Sequence, residues 1–183
     1  MTAMKRVPKI NSTNYLKKAI DYIGTKELKA TPMTRGEYNK FRGWEIPANE
    51  NPKDDGYLVI YPKDNQPDGK PYISWSPKAV FEPAYRQMTN LTFGDAVHLM
   101  KLGHKLARAG WNGKGMWCIY VPGTPRAKLS PGTPYALHLK RKTIEILPHF
   151  DMYTINAAGR RAMLPGWLAS QSDMDAVDWC VVK

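Results

Sequence analysis

The stretch His104-Lys-Leu-Ala-Arg-Ala-Gly-Trp-Asn-Gly-Lys-Gly-Met-Trp-Cys-Ile-Tyr-Val121 decides the fold of the C-terminal half. His104 to Ala109 alternates as a strand, and Met116 to Val121 reads as a return strand before Pro122-Gly123 breaks it. Between them, Trp111-Asn-Gly-Lys114 reads as a tight turn, because Asn-Gly is the preferred pair of a type I′ hairpin. The expectation is an antiparallel sheet.

A helix precedes this hairpin. Thr92-Phe-Gly-Asp95 has capping-box character, with Thr92 as cap and Asp95 at the positive helix end. Phe93, Ala96, Val97 and Met100 form one apolar stripe, and Gly103 suits the residue that closes the helix. After the hairpin, Pro122 to Pro134 is rich in Pro, Gly, Ser and Thr and reads as a loop or excursion. Thr143–Leu147 and Met152–Ile155 read as strands, with a turn at Asn156–Arg160. Ser170-Gln-Ser-Asp173 again has capping-box spacing and opens a short helix through about Val177. Trp179–Val182 completes the sheet.

The N-terminal half reads differently. Tyr15, Leu16, Ala19, Ile20 and Ile23 have helical spacing within 10–24, which Gly24 would end. Residues 25–88 read as a small β-rich unit. Thr34-Arg-Gly-Glu37 resembles a capping box for a short helix through Phe41. Tyr57–Tyr61 and Tyr72–Trp75 are strands of one hairpin across the polar turn region Asp64–Pro71. Ser76-Pro77 reads as N-cap and first position of a helix whose apolar face is Ala79, Val80, Phe81 and Ala84. Trp44 and Trp75 read as core or interface packing residues ahead of the alternative, a ligand groove. A boundary falls at 89–91. The fold class expected is α+β: a small antiparallel sheet with one packed helix, preceded by a small β-rich α+β domain.

Composition narrows the function. Hydrophobic residues make up 43% of 183, enough for a real core. No apolar run approaches the roughly 20 residues that span a bilayer, and Met1–Lys18 lacks the apolar stretch of a secretory signal. Two cysteines exclude a disulfide scaffold or a four-cysteine zinc site; Cys118 and Cys180 read as buried, reduced thiols. The net charge of +11 favours anionic partners. Its dispersal, with Lys140-Arg141-Lys142 the only triple, argues against a DNA- or RNA-binding stripe.

Catalysis finds little support. His98, His104, His138 and His149 include no i, i+4 pair, so no metal is expected. There is no Gly-x-Ser-x-Gly elbow, and Cys118 sits mid-strand, where a depressed pKa is not expected. Asp173, Asp175 and Asp178 read as helix-dipole partners. Lys114 follows Gly113 without Walker spacing. What stands out is Arg108–Met116 together with Pro165-Gly-Trp-Leu-Ala-Ser-Gln-Ser-Asp-Met174. Each combines an indole, glycine and polar amide or hydroxyl groups, and the first adds cations. That mixture suits a pocket for an anionic, base-containing small molecule.

Leu91-Thr-Phe-Gly-Asp-Ala96, Arg108–Met116 and Pro165–Met174 through Asp178-Trp179, in that order, resemble the second Thoeris anti-defence family of small phage proteins. The resemblance covers about half the chain. It implies a sponge, not an enzyme: a protein of the infected bacterial cytoplasm that holds the glycocyclic ADP-ribose immune signal without cleaving it. Cyclic dinucleotides are further ligands of some relatives. Homotetramers with pockets between subunits are implied, with no cofactor and no membrane or nucleic-acid partner. On these motifs Trp111 is placed for base stacking, Arg108 and Lys114 for phosphate, and Asn112 and Gln171 for base or ribose edges. Ser170 and Asp173 would add polar contacts or cap the last helix. Met116 and Met174 complete the expected site. The organisation expected is an arm (1–24) and a module (25–88), both outside the resemblance, and the ligand-sequestering domain (91–183) that the resemblance implies. The module, including Tyr72-Ile-Ser-Trp-Ser-Pro-Lys78 and Phe81-Glu-Pro-Ala-Tyr85, looks similar to uncharacterised phage modules, and 122–142 departs from the family pattern.

Overall fold

The computed structural model describes Ile20, Gly24, residues 26–62 and residues 70–183. The helix expected over 10–24 and most of the turn region Asp64–Pro71 lie outside the described residues. The chain divides into two compact units, Met1–Phe81 and Glu82–Lys183. Together they are α+β with small antiparallel sheets.

In the first unit, strands β1 (Lys29–Pro32), β2 (Gly56–Ile60) and β3 (Ile73–Pro77) form an antiparallel sheet in that order. The β2–β3 pairing matches the expected hairpin; β1 was not anticipated, because Lys-Ala-Thr-Pro has no apolar alternation and is fully exposed. Helix α1 (Arg35–Arg42) carries the expected capping box, with Thr34 and Glu37 exchanging side-chain and backbone bonds. Helix α2 (Lys78–Ala84) starts later than expected. Ser76 and Pro77 stay in β3, paired with Tyr57 and Gly56, since the ladder outcompetes an early helix start. Of its expected apolar face only Phe81 is buried, stacked on Tyr57 at 4.3 Å between centroids.

The Trp75 indole occupies the space over Gly56. Its Nε1–H donates to the Met33 carbonyl at 2.9 Å, and the Arg35 guanidinium lies 5.0 Å from its ring centroid. A Cβ on Gly56 would sit 2.4 Å from that indole and 2.5 Å from the Ser76 carbonyl oxygen. Gly56→Ala should therefore destabilise the protein by about 1–3 kcal/mol, the ordinary cost of overpacking, read as an earlier unfolding midpoint in urea. An unchanged midpoint would show that Trp75 can move aside freely. Trp44, by contrast, is half exposed.

In the second unit, α3 (Phe93–Lys101) opens on the expected Thr92/Asp95 capping box. It closes in a Schellman arrangement. Gly103, at φ +95°, donates to the Met100 carbonyl, and His104 donates to Leu99. Ala96, Leu99 and Met100 are its buried face. They pack against a five-stranded antiparallel sheet of β4 (Lys105–Arg108), β5 (Trp117–Val121), β8 (His149–Ile155), β9 (Arg161–Pro165) and β10 (Trp179–Val182), ordered β10-β4-β5-β8-β9. The core joins that face to Leu91, Leu106, Cys118, Met152 and Trp179. The segment before α3 seals the outer side of β10: Leu91 bridges Trp179, and Val181 N–H donates to the Met88 carbonyl at 2.9 Å.

Three local expectations are corrected. Pro122–Pro134 is not simply a loop: β6 (Thr124–Lys128) pairs with β7 (Thr143–Ile146) in a separate ribbon, with helix α4 (Pro134–Leu139) between them. The final helix, α5 (Gln171–Met174), stops well before Val177. Cys180 is half-buried, whereas Cys118 is buried; both thiols are free. No helix among the described residues is long and apolar enough to cross a membrane.

Candidate functional site

The loop 109–116 between β4 and β5 is not a type I′ turn. That turn needs positive φ at both central residues, and in this loop only Gly115 has it, at +72°. The reason is tertiary. Asp178, just before β10, draws the Gly110 N–H onto its carboxylate at 2.7 Å, and Trp111 turns inward. The loop is thereby pinned to a distant part of the chain rather than closed on itself.

Asp173 is the centre of the pin. Its carboxylate accepts from Arg108 Nη1 at 2.9 Å, Trp111 Nε1 at 2.9 Å, Ser170 N–H at 3.0 Å and Ser170 Oγ at 2.7 Å. Its backbone carbonyl accepts from Trp179 Nε1 at 3.0 Å. Arg108 gives its Nε to Asp178 at 2.9 Å, so one guanidinium bridges two carboxylates. Burial opposes the charge on Asp173, but the donors from Trp111, Ser170 and Arg108 outweigh it and bring its pKa down to about 2. Hydrogen bonds donated to Asp178 and then to Asp173 raise that of Arg108, and the bond from Arg108 lowers that of Asp178. This cluster therefore carries one more negative charge than positive at neutral pH.

Around it stand three indoles. Trp111, Trp167 and Trp179 meet edge to face in all three pairs, at centroid distances of 5.3–6.2 Å. Trp179 is fully buried and also meets Phe93. This is the favoured geometry for opposed ring quadrupoles. Cys118 lies in the core beneath; burial first, then the negative charge of Asp173, pushes its thiol up to about 12, so it is not a nucleophile at neutral pH.

Of the expected site residues, the fold brings Arg108, Trp111, Ser170 and Asp173 into direct contact. Ser170 and Asp173 do form a capping box, that of α5. Asn112 and Lys114 are exposed on the same loop as Trp111; Gln171 and Met174 are exposed on α5. Met116 folds back over Gly113, where a Cβ would fall 1.8 Å from its sulfur. Sequence reasoning did not assign Asp178, Trp167 or Trp179 to the site. Their signal was faint: a carboxylate before a strand, and tryptophans that read equally as core. Among the described residues no group of three or more His, Cys, Asp or Glu side chains could hold a metal.

Comparison with known proteins bears on this same region. Residues 91–182 match the model of a family described as the Thoeris anti-defense 2-like domain. The chain is also 26% identical over 95 residues to a protein named Thoeris anti-defense 2, from Bacillus phage SP01. That match covers 52% of this chain and 98% of the phage protein.

Proposed function

The chain belongs to the Thoeris anti-defense 2-like family through residues 91–182, and we propose from that membership that it is a phage anti-defence protein acting against Thoeris immunity. Its mode of action is sequestration. It binds a cyclic nucleotide signal, glycocyclic ADP-ribose or a cyclic dinucleotide, and holds it uncleaved inside the infected cell.

The observation that carries this reading is the lock between the 109–116 loop and the 166–178 segment. Asp173 and Arg108 tie the two loops together by hydrogen bonds within the chain, which limits the ordering cost that binding must meet. A sponge acts by mass action and needs such high affinity. The groups of the lock and the thiol beneath it are poorly suited to chemistry: Asp173 is committed to four donors as a carboxylate, and the Cys118 thiol is protonated. Around the lock, Leu168 is 88% exposed and Val177 67% exposed. These exposed apolar side chains of the 166–178 segment are available to another copy of the chain, and a homotetramer with pockets between subunits is part of this proposal.

A thermal-shift panel of glycocyclic ADP-ribose isomers, cyclic dinucleotides, ADP-ribose and NAD tests this. Ligand is recovered by heat denaturation and identified by chromatography. A ligand at 100 times its Kd stabilises by about 2.7 kcal/mol, so a shift of many degrees with intact ligand is expected. Altered ligand would make the protein an enzyme, and no shift with any nucleotide would end the sequestration reading.

A further inference from the structure

Arg108 and Lys114 are the phosphate contacts that the family resemblance implies, yet the Arg108 guanidinium already bridges two carboxylates. The cluster around it is net negative. An anionic ligand needs positive charge from elsewhere, and the same end of the sheet supplies it.

Arg161 opens β9, opposite Ile155 at the far end of the Asn156–Arg160 turn. It is exposed, and no ion pair engages it or Lys114 among the described residues. An aromatic ring holds it instead of a carboxylate. Its guanidinium carbon lies 5.7 Å from the Tyr153 ring centroid, and Tyr153 stacks on Trp117 at 4.6 Å and 16°. Ring contact positions a guanidinium without cancelling its charge or occupying its N–H fork. The Arg161 fork reaches the 109–116 loop. A Cβ on Gly115 would lie 3.2 Å from Nη1 and 3.7 Å from Nη2. The φ of +72° at Gly115 is left-handed, a conformation that favours glycine, and the bare Cα leaves room for the guanidinium beside the loop backbone. Lys114, the adjacent residue, is exposed and adds a second cation without an ion pair among the described residues.

We propose that Arg161, with Lys114 and the Gly115 backbone, forms the phosphate-binding subsite of this protein, beside the tryptophan cluster rather than within it. The proposal rests on the sequestration reading for its ligand but not for its chemistry. Phosphate oxygens match the planar fork of Arg161 in a bidentate contact that a lysine point charge does not reproduce.

The test is calorimetric titration of the full chain with glycocyclic ADP-ribose and, separately, inorganic pyrophosphate. Wild type is compared with Arg161→Gln, Arg161→Lys and Lys114→Ala. Arg161→Gln should weaken both ligands at least about tenfold, with a melting temperature close to wild type because the side chain is exposed. Arg161→Lys should recover part of that loss, and added salt should weaken wild type more than Arg161→Gln. If wild type binds either ligand and Arg161→Gln binds it equally well, the subsite is wrong while any nucleotide binding stands. If pyrophosphate binds wild type but not Arg161→Gln, and no nucleotide binds, the subsite stands and the sequestration reading falls. Binding of neither ligand by wild type overturns the subsite, and the sequestration reading falls with it if the cyclic dinucleotides of the thermal-shift panel also fail to bind.

Discussion

Trp179→Ala should cost the C-terminal unit about 3–5 kcal/mol, as for a large aromatic removed from a core. Trp179 is the bulkiest fully buried side chain among the described residues. It meets Phe93, Trp111 and Trp167 edge-on, so its loss opens a cavity between helix α3 and the loop 109–116. It also removes the donor to the Asp173 carbonyl. Trp179→Phe keeps ring packing but loses that donor, and should cost distinctly less. Urea unfolding of both variants checks the ordering. A cost below about 1 kcal/mol for the alanine variant would mean that the neighbouring indoles collapse into the space, contrary to close packing.

The second large effect is expected at Asp173. Asp173→Ala leaves Arg108 with a single carboxylate, deprives the Trp111 indole N–H of its acceptor and removes the reciprocal half of the α5 capping box, the bonds from Ser170 N–H and Oγ. Breaking a buried, hydrogen-bonded ion pair from one side typically costs about 3–5 kcal/mol. The same residue sets an acid limit. Its pKa is lowered from 3.8 to about 2 in the folded protein, so its contribution is fully present above the unfolded value and is lost as pH falls through the folded one. Asp178 and Asp95 are lowered too and act in the same direction. Wild-type stability should be level above about pH 5 and decline steeply below pH 4. Asp173→Asn should show a shallower acid decline, having already lost the charge. Thermal melts from pH 2 to 7 measure both, and identical acid slopes would contradict the assignment of the low pKa to Asp173.

These expectations also show what could be read without coordinates. Three capping boxes, at Thr34, Thr92 and Ser170, were legible because each is settled within four residues. The β4, β5 and β10 strands were legible from apolar patterning. Strands β1, β6 and β9 were not. Thr-Pro-Arg-Ala-Lys in β6 carries proline and charge, and β9 is mostly exposed, so neither shows a two-residue period. The Asn112-Gly113 signal was real as local propensity but lost to a longer-range contact, the Asp178 carboxylate on Gly110. The site was half legible for the same reason. Trp111, Ser170 and Asp173 were singled out by type, whereas the pairing of Arg108 with carboxylates 65 and 70 residues away is a property of the fold.

The contact of the Met88–Leu91 segment with β10 governs how this protein can be dissected. The family match begins at Leu91, and a fragment starting at Thr92 would retain α3 and every strand of the five-stranded sheet. It would nevertheless strip the outer side of β10, leaving the Trp179 and Val181 amides without their Leu91 and Met88 carbonyls. A bared edge strand is a template for pairing with other chains. Expressed that way, the domain would carry an adhesive flank that the intact protein keeps covered. The workable cut lies upstream of Met88.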